Sequence, residues 1–212
     1  MTDFAAPTVA WKQPDDPSLP LVVLLHGRGA DEQSILGLAT WMPAGASYAA
    51  VRAPIGEGGG WAWFANRGIG RPVAESLAEV MAWFRAWLDE VAPPTRPVVL
   101  VGFSGGAAFA GGLVLGDPDR FAGAALLCGT LPFDAGVPVT PGRLAGVSMF
   151  VARGDSDVVI PRELMDRTWT YLLGDAGCPI HARREPGGHE ISEATVSDLA
   201  RWVADRLTEP TA

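Results

Sequence analysis

The hydrophobic residues of this chain follow two alternating patterns. Short runs that are apolar at every position, of which Leu21–Leu25 is the clearest, are typical of strands buried on both faces of a sheet. Longer segments place apolar residues three or four positions apart, which predicts a helix over 71–91. Further strands are predicted at 46–52, 98–101, 124–127, 148–152 and 181–185, and further helices at 107–115, at 162–173 and after Ser192. This alternation predicts an α/β fold with a mostly parallel central sheet and helices on both faces.

The length of 212 residues favours a single domain over 1–212. The segment 129–146 is rich in proline and glycine and is too short to hold a separate lid, so no large cap domain is expected. No internal repeat or low-complexity linker interrupts the pattern.

Charge and cysteine content exclude several classes of function. A net charge of −8 argues against nucleic acid and anionic membranes as partners. The first residues do not resemble a signal peptide, and the longest apolar run is far too short to cross a bilayer, so a cytoplasmic location is expected. Cys128 and Cys178 lack the spacing of metal ligands, and no metal site is predicted.

The segment Gly102-Phe103-Ser104-Gly105-Gly106 lies between a predicted strand and a predicted helix. The pattern G-x-S-x-G in this position is that of a nucleophile elbow, a tight turn that exposes the serine hydroxyl above the sheet. Glycine is required around the serine because a side chain would not fit in the turn. Ser104 is therefore the predicted nucleophile.

Two further candidates lie beyond the ends of later predicted strands. Asp157 follows the strand that begins at Ser148, and His189 follows the strand that ends at Glu185. The order Ser, Asp, His is that of α/β-hydrolases and differs from the orders of the chymotrypsin and subtilisin folds. We therefore expect His189 to remove the proton of Ser104, and Asp157 to orient the imidazole.

Each of these roles has a competitor in the sequence. Asp155 lies two residues from Asp157 and is an alternative acid, and His181 is an alternative base, although its position inside a strand is unfavourable. Ser104 could also be an ordinary turn serine, and His189 a surface histidine. His26, at the end of the first apolar run, is interpreted as structural rather than catalytic.

Stabilising an oxyanion requires two preorganised N–H donors. The elbow provides the backbone N–H of Gly105. The loop after Leu21–Leu25 contains two glycines, which allow close approach of the backbone, and it provides the N–H of Arg28. For the Arg28 side chain the sequence leaves two alternatives open: it faces solvent, or it faces an acidic group of a substrate.

A glycine run followed by aromatic residues, at 58–64, predicts one wall of a substrate pocket. The loop after Cys128 could provide the opposite wall. The alternative interpretation of the aromatic segment is a hydrophobic loop packed on the core. The predicted substrate-binding residues are Trp61, Trp63, Phe64, Leu131 and Phe133.

These motifs together resemble the phospholipase/carboxylesterase family of α/β-hydrolases, which includes the acyl-protein thioesterases. The resemblance rests on the segments 25–31, 52–54, 63–64, 102–106, 154–161 and 188–189, in that order. It implies hydrolysis of short to medium acyl esters or thioesters without a cofactor or a large cap. It also implies the triad Ser104, Asp157 and His189, with oxyanion donors on Arg28 and Gly105.

Three residues depart from the pattern of that family. Gly105 stands where the family often has glutamine, Ala65 where it often has aspartate, and Arg153 where it often has histidine. Because Ala65 and Arg153 lie near the site, their presence argues against acyl-protein substrates in particular and favours small-molecule esters.

The sequence thus predicts a serine carboxylesterase that acts on a small-molecule ester, or on a thioester, through an acyl-enzyme intermediate. A dienelactone-hydrolase-like enzyme is an alternative, although that subgroup typically uses cysteine at the elbow. A non-catalytic binding module is another, although such proteins usually lose a member of the triad. The physiological substrate and the oligomeric state stay open, a homodimer being one possibility.

Overall fold

The computed structural model describes residues 4–208 of the chain. Nine strands and five α-helices occur within this part. In chain order they are β1 (Val9–Trp11), β2 (Leu21–Leu25), α1 (Glu32–Leu36), β3 (Ser47–Val51), β4 (Ile55–Glu57), β5 (Gly60–Ala62), α2 (Ala74–Val91), β6 (Val98–Phe103), α3 (Gly105–Gly116), β7 (Gly123–Leu127), β8 (Ser148–Gly154), α4 (Arg162–Thr170), β9 (Ile180–Glu185) and α5 (Glu193–Thr208). A π-helical turn, Tyr171–Asp175, extends α4.

Seven of the described strands form one sheet in the order β1-β3-β2-β6-β7-β8-β9. All neighbours pair in parallel except β1, which runs antiparallel to β3 at one edge. β4 and β5 form a separate antiparallel hairpin. The predicted mostly parallel sheet is confirmed, and its carboxyl ends carry the loops that build the candidate site.

Two hydrophobic layers cover the sheet because successive side chains of a strand point to opposite faces. Leu21, Val23 and Leu25 of β2 contribute to the larger layer, which contains the buried faces of α2, α3 and α4. Val22 and Leu24 contribute to the other layer, with α1 and α5. All five residues of β2 are completely buried, which explains its uninterrupted apolar sequence.

No cap domain is evident within residues 4–208. The segment between β7 and β8 instead packs Leu131, Leu144 and Val147 into the main core. None of the helices in this part of the chain has both the length and the apolar character needed to span a membrane.

The boundaries of several elements differ from those predicted. α2 begins at Ala74 rather than at residue 71, because Val73 is extended, with ψ 120°, and its N–H donates to the Ala65 carbonyl at 2.8 Å. β1, the β4–β5 hairpin and α1 are only three to five residues long and have too few residues to show a periodicity. Ser192 caps α5 as predicted, since its Oγ accepts the Thr195 N–H at 3.0 Å.

Candidate active site

The turn between β6 and α3 holds Ser104 in a strained backbone conformation, with φ 54° and ψ −113°. A Cβ on Gly102 would lie 2.3 Å from the carbonyl oxygen of Gly106, and a Cβ on Gly106 would lie 2.2 Å from that of Leu25. Neither position can therefore hold a side chain. The Ser104 N–H donates to the Leu127 carbonyl at 2.9 Å, which fixes the turn to β7.

The structure brings Ser104, His189 and Asp157 together in one chain of hydrogen bonds. Ser104 Oγ lies 2.9 Å from His189 Nε2, and His189 Nδ1 lies 2.8 Å from Asp157 Oδ2. Because the hydroxyl donates to Nε2, Nδ1 carries a proton and donates to the carboxylate. The Asp157 side chain is fully buried, and its other oxygen accepts the N–H groups of Val159 and Ile160 at 2.8 and 3.1 Å.

The loops that carry Asp157 and His189 are held against one another by backbone contacts. The N–H groups of Asp155 and Ser156 donate to the carbonyls of Glu185 and Gly187 at 2.6 and 3.0 Å. A Cβ on Gly154 would lie 2.2 Å from the Gly187 carbonyl oxygen, so only glycine permits this approach. The spacing of the carboxylate and the imidazole thus depends on the end of β8.

The two competing residues lie elsewhere. Asp155 Oδ1 accepts a hydrogen bond from Arg184 Nε at 2.8 Å, and this arginine holds the pKa of the Asp155 carboxyl below its usual range. His181 stacks on Phe150, with ring centroids 5.0 Å apart, and its Nε2 lies 3.9 Å from Asp198. The geometry therefore favours Asp157 and His189 over these alternatives.

Two backbone N–H groups lie close together beside Ser104. A Cβ on Gly105 would lie 3.3 Å from the backbone nitrogen of Arg28, so the loop after β2 approaches the start of α3 closely. Within residues 4–208, neither the Arg28 N–H nor the Gly105 N–H has a hydrogen-bond acceptor. Both groups are free to donate to an atom bound at Ser104.

The side chain of Arg28 pairs with Glu57 of the β4–β5 hairpin, where Arg28 Nε lies 2.8 Å from Glu57 Oε2. This contact was not anticipated from the sequence, which left solvent or a substrate anion as partners. The pairing raises the pKa of Arg28 and lowers that of Glu57. The ion pair lies at the surface beside the loop that holds the Arg28 N–H.

His26 is completely buried and connects two loops. Its Nδ1 donates to the Gly27 carbonyl at 2.7 Å, and its Nε2 accepts the Ala53 N–H at 3.0 Å. Burial lowers the pKa of His26, which keeps the ring neutral. These contacts agree with the structural role interpreted for this histidine.

A cleft of about 680 Å³ opens above Ser104 and His189. Its lining is mostly apolar, and it lies between the loop after β5, the turn before α4 and the loop after β2. The lining residues are His26, Gly27, Arg28, Ala30, Ser34, Ile35, Phe64, Asn66, Ile69, Gly70, Phe103, Ser104, Gly105, Ala108, Thr130, Val159, Ile160, His189 and Ile191.

Of the five predicted wall residues, only Phe64 lines this cleft. Trp63 is 1% exposed, stacks on Phe109 with ring centroids 4.5 Å apart, and donates from Nε1 to the His26 carbonyl at 2.9 Å. Leu131 is completely buried in the core. The wall interpretation is therefore corrected for Trp63 and Leu131, because their apolar surface is already covered by protein.

The two remaining predicted wall residues have arginine partners outside the cleft. The Arg52 guanidinium lies 5.0 Å from the ring centre of Trp61, and that of Arg167 lies 4.0 Å from the ring centre of Phe133. Both rings thus stabilise neighbouring cations and are not among the cleft residues.

The cleft residues that were not predicted from the sequence fall into two groups, one close in sequence to the predicted triad and one in irregular loops. Val159 and Ile160 lie two and three residues after Asp157, and Ile191 lies two residues after His189. Asn66 and Thr130 lie in irregular loops, where no periodicity indicates which way a side chain points. Proximity in sequence to the predicted triad could have identified the first group but not the second.

No group of three or more His, Cys, Asp or Glu side chains between residues 4 and 208 is arranged to hold a metal ion. Cys128 lies behind the histidine loop, and its Sγ donates to the Glu190 carbonyl at 3.2 Å. Burial raises the pKa of this thiol to about 11, which keeps it protonated.

A parallel sheet with a serine elbow, and with an aspartate and a histidine beyond later strands, defines an α/β-hydrolase. Comparison with known families identifies the branch: the phospholipase/carboxylesterase family matches residues 7–205. The chain belongs to this family, as the sequence motifs predicted.

Similar proteins include hydrolases and esterases from bacteria. The "Putative hydrolase MhqD" of Bacillus subtilis (strain 168) is 25% identical over 191 residues, which cover 88% of this chain and 94% of that protein. The Bacillus cereus carboxylesterase structure has a TM-score of 0.82 at 26% identity and 95% coverage of both chains. The carboxylesterase from Mesorhizobium loti has a TM-score of 0.76 at 28% identity, covering 87% of this chain and 88% of that chain.

The placement of Trp63 and Phe64 predicts different effects on acyl preference for two neighbouring substitutions. Trp63→Ala should lower the free energy of unfolding by about 3–5 kcal/mol, because it removes a buried ring, and should leave the preferred acyl length unchanged. Phe64 is 3% exposed, so Phe64→Ala should also lower stability, but it should in addition enlarge the cleft and shift the preference to longer acyl chains. Melting temperatures and a panel of nitrophenyl esters measure both effects. A shifted acyl preference in the Trp63 variant without a lower melting temperature would contradict this assignment.

Proposed function

We propose that this protein is a serine carboxylesterase that hydrolyses small-molecule esters of short to medium acyl chains through an acyl-enzyme intermediate. The observation that carries the proposal is the chain of hydrogen bonds from Ser104 through His189 to the buried Asp157. Ser104 and His189 line a mostly apolar cleft. Membership in a family of hydrolases supports the same class of reaction.

In the proposed reaction, His189 Nε2 takes the proton of Ser104 while Oγ bonds to the ester carbonyl carbon. The carbonyl oxygen becomes an oxyanion that accepts hydrogen bonds from the N–H groups of Arg28 and Gly105. The intermediate then collapses, the bond to the alcohol oxygen breaks, and His189 returns the proton to that oxygen. Water repeats the sequence on the acyl-enzyme and releases the acid and free Ser104.

Asp157 has two functions in this scheme. Its carboxylate accepts the Nδ1–H, which keeps Nε2 available as the base, and its negative charge stabilises the imidazolium that forms. The N–H groups of Val159 and Ile160 hold the other carboxylate oxygen. The aspartate is therefore fixed from both sides before a substrate binds.

The size of the cleft supports small substrates. A volume of about 680 Å³ lies in the range of pockets that hold a single small molecule. Its open side and the lack of a cap over residues 4–208 support hydrolysis without activation at a lipid–water interface.

The alternative functions have less support. A dienelactone-hydrolase-like enzyme typically has a cysteine at the elbow, where this chain has Ser104. A non-catalytic module would have no need for an intact Ser–His–Asp arrangement beside two N–H groups that lack an acceptor in the described part of the chain. The same reaction applies to thioesters, and kcat/KM values for matched oxygen ester and thioester pairs measure the preference between them.

Ser104→Ala should abolish ester hydrolysis while the protein stays folded, because the substitution removes the nucleophile and little packing. Loss of a triad residue commonly costs about 10⁴-fold or more in kcat. Hydrolysis of a nitrophenyl ester measures activity, and the melting temperature checks the fold. Activity within about tenfold of the unmodified protein would rule out Ser104 as the nucleophile.

Asp157→Asn should reduce kcat far more than Asp155→Asn. An asparagine amide can donate to the imidazole and favour the wrong tautomer, an effect of about 10⁴ in a related triad. Asp155 contacts Arg184 at the surface instead, so its replacement should change kcat by less than about tenfold. The reverse ranking of the two variants would move the acid to Asp155.

The pH dependence of stability should reflect Glu185, the last residue of β9, which precedes the loop of His189. Burial lowers the pKa of His26, and hydrogen bonds from Ser192 and Arg183 lower the pKa of Glu185 from 4.5 to about 2. Any stability that Glu185 contributes is thus present above pH 4.5 and is lost only as the pH falls toward about 2. Melting temperatures measured between about pH 2 and 7 check this, and a loss of that stability already complete above pH 4.5 would contradict the assignment.

A further inference from the structure

Two polar side chains of the cleft have buried atoms without a partner. Thr130 is 1% exposed, and within residues 4–208 neither its Oγ1 nor Asn66 Oδ1 makes a hydrogen bond. Both residues line the cleft that contains Ser104 and His189. A buried polar atom without a partner destabilises the folded state, so its presence in a binding cleft requires an explanation.

One loop of the cleft contains Asn66 and also contacts Thr130. The loop 66–71 is closed by the Arg67 N–H, which donates to the Arg71 carbonyl at 2.9 Å. It lies on Thr130, since a Cβ on Gly70 would be 3.1 Å from Thr130 Oγ1. Gly70 also lines the cleft, and its φ of +71° suits glycine. The loop that begins at Asn66 thus packs on Thr130, which follows β7 in the chain.

The hydrogen-bonding capacity of these atoms restricts the group that could bind. Asn66 Oδ1 only accepts, whereas the Thr130 hydroxyl rotates and can donate or accept. A ligand that satisfies both must therefore contain a donor. A hydroxyl group can donate to Asn66 and accept from Thr130, whereas an alkyl chain leaves both atoms unpaired.

We propose that Thr130 and Asn66 form a polar subsite that binds a hydroxyl group of the substrate, so that the preferred esters are hydroxylated. The inference rests on the proposed esterase function and specifies the class of its substrates. A site built around such a hydrogen bond discriminates strongly against an analogue that lacks the hydroxyl. The apolar part of the cleft contacts the remaining carbon atoms.

The test uses two pairs of esters in which a methyl group is replaced by a hydroxyl of similar size. Nitrophenyl isovalerate and nitrophenyl β-hydroxybutyrate probe the acyl side, and propyl butyrate and hydroxyethyl butyrate probe the alcohol side. For each pair, the kcat/KM of the hydroxylated ester is divided by that of its partner. This ratio is then divided by the ratio of the rate constants for hydrolysis of the same two esters by hydroxide ion, which removes the difference in intrinsic reactivity. The unmodified protein should prefer the hydroxylated member of at least one pair by about tenfold, the size of one hydrogen bond to a buried group.

In Thr130→Val, the corrected kcat/KM values of the two members of a pair should differ by no more than about twofold. Thr130→Ser keeps the hydroxyl and should retain the preference for the hydroxylated ester. Asn66→Ala should also reduce this preference. The melting temperature of the Thr130→Val variant should not fall, because the hydroxyl makes no hydrogen bond within the described residues.

Thr168 provides a matched control. It is completely buried, and its Oγ1 accepts the Leu131 N–H at 3.0 Å. Thr168→Val should therefore lower the melting temperature and preserve the preference for hydroxylated esters. The opposite pattern, a stability loss in Thr130→Val with an unchanged preference, would assign Thr130 a structural role and overturn the proposal.

The outcomes separate this inference from the function on which it rests. If plain esters are hydrolysed but neither pair shows a preference, or if the preference survives the Thr130 and Asn66 substitutions, the subsite is refuted and the esterase function remains. If no ester is hydrolysed and a fluorophosphonate does not label the protein, the esterase function itself fails, and the subsite with it.

Discussion

The structure depends on the contact between the elbow glycines and the neighbouring strand. Gly106 lies so close to the Leu25 carbonyl, and Gly102 so close to Gly106, that a Cβ on either would lie 2.2–2.3 Å from a backbone oxygen. This packing turns the chain from β6 into α3 within two residues and forces Ser104 to a positive φ. It also brings the start of α3 against the loop that carries Arg28. The same contact therefore sets the position of the hydroxyl and of both candidate oxyanion donors.

Close contacts between a glycine and a neighbouring backbone also position the other parts of the site. A Cβ on Gly154 would collide with the carbonyls of the histidine loop, and a Cβ on Gly60 would lie 2.0 Å from the Gly29 carbonyl oxygen. The second contact holds the β4–β5 hairpin, and with it Glu57, beside the loop of Arg28. Loops from separate strands can thus meet within hydrogen-bonding distance because their backbones touch directly. The site depends on small residues as much as on the three polar side chains of the triad.

The sequence was informative wherever a short-range rule applied. The uninterrupted apolar sequence of Leu21–Leu25 predicted a doubly buried strand, and the glycine spacing around Ser104 predicted the elbow. It was less informative for aromatic residues, because a tryptophan in a glycine-rich loop can face the cleft or the core. The Nε1–H of Trp63 finds its acceptor on His26, which comes 37 residues earlier in the chain. Such a long-range contact cannot be deduced from local patterns, and neither can the position of Thr130 beneath Gly70.

We propose that Ser104 is a nucleophile activated by its neighbours in the folded protein. Intact-protein mass spectrometry after brief exposure to a fluorophosphonate, followed by peptide mapping, detects such a nucleophile. One covalent adduct per chain should form, located on Ser104 and absent when the protein is unfolded before exposure. An unlabelled folded protein, or an adduct on another residue, would exclude this role for Ser104.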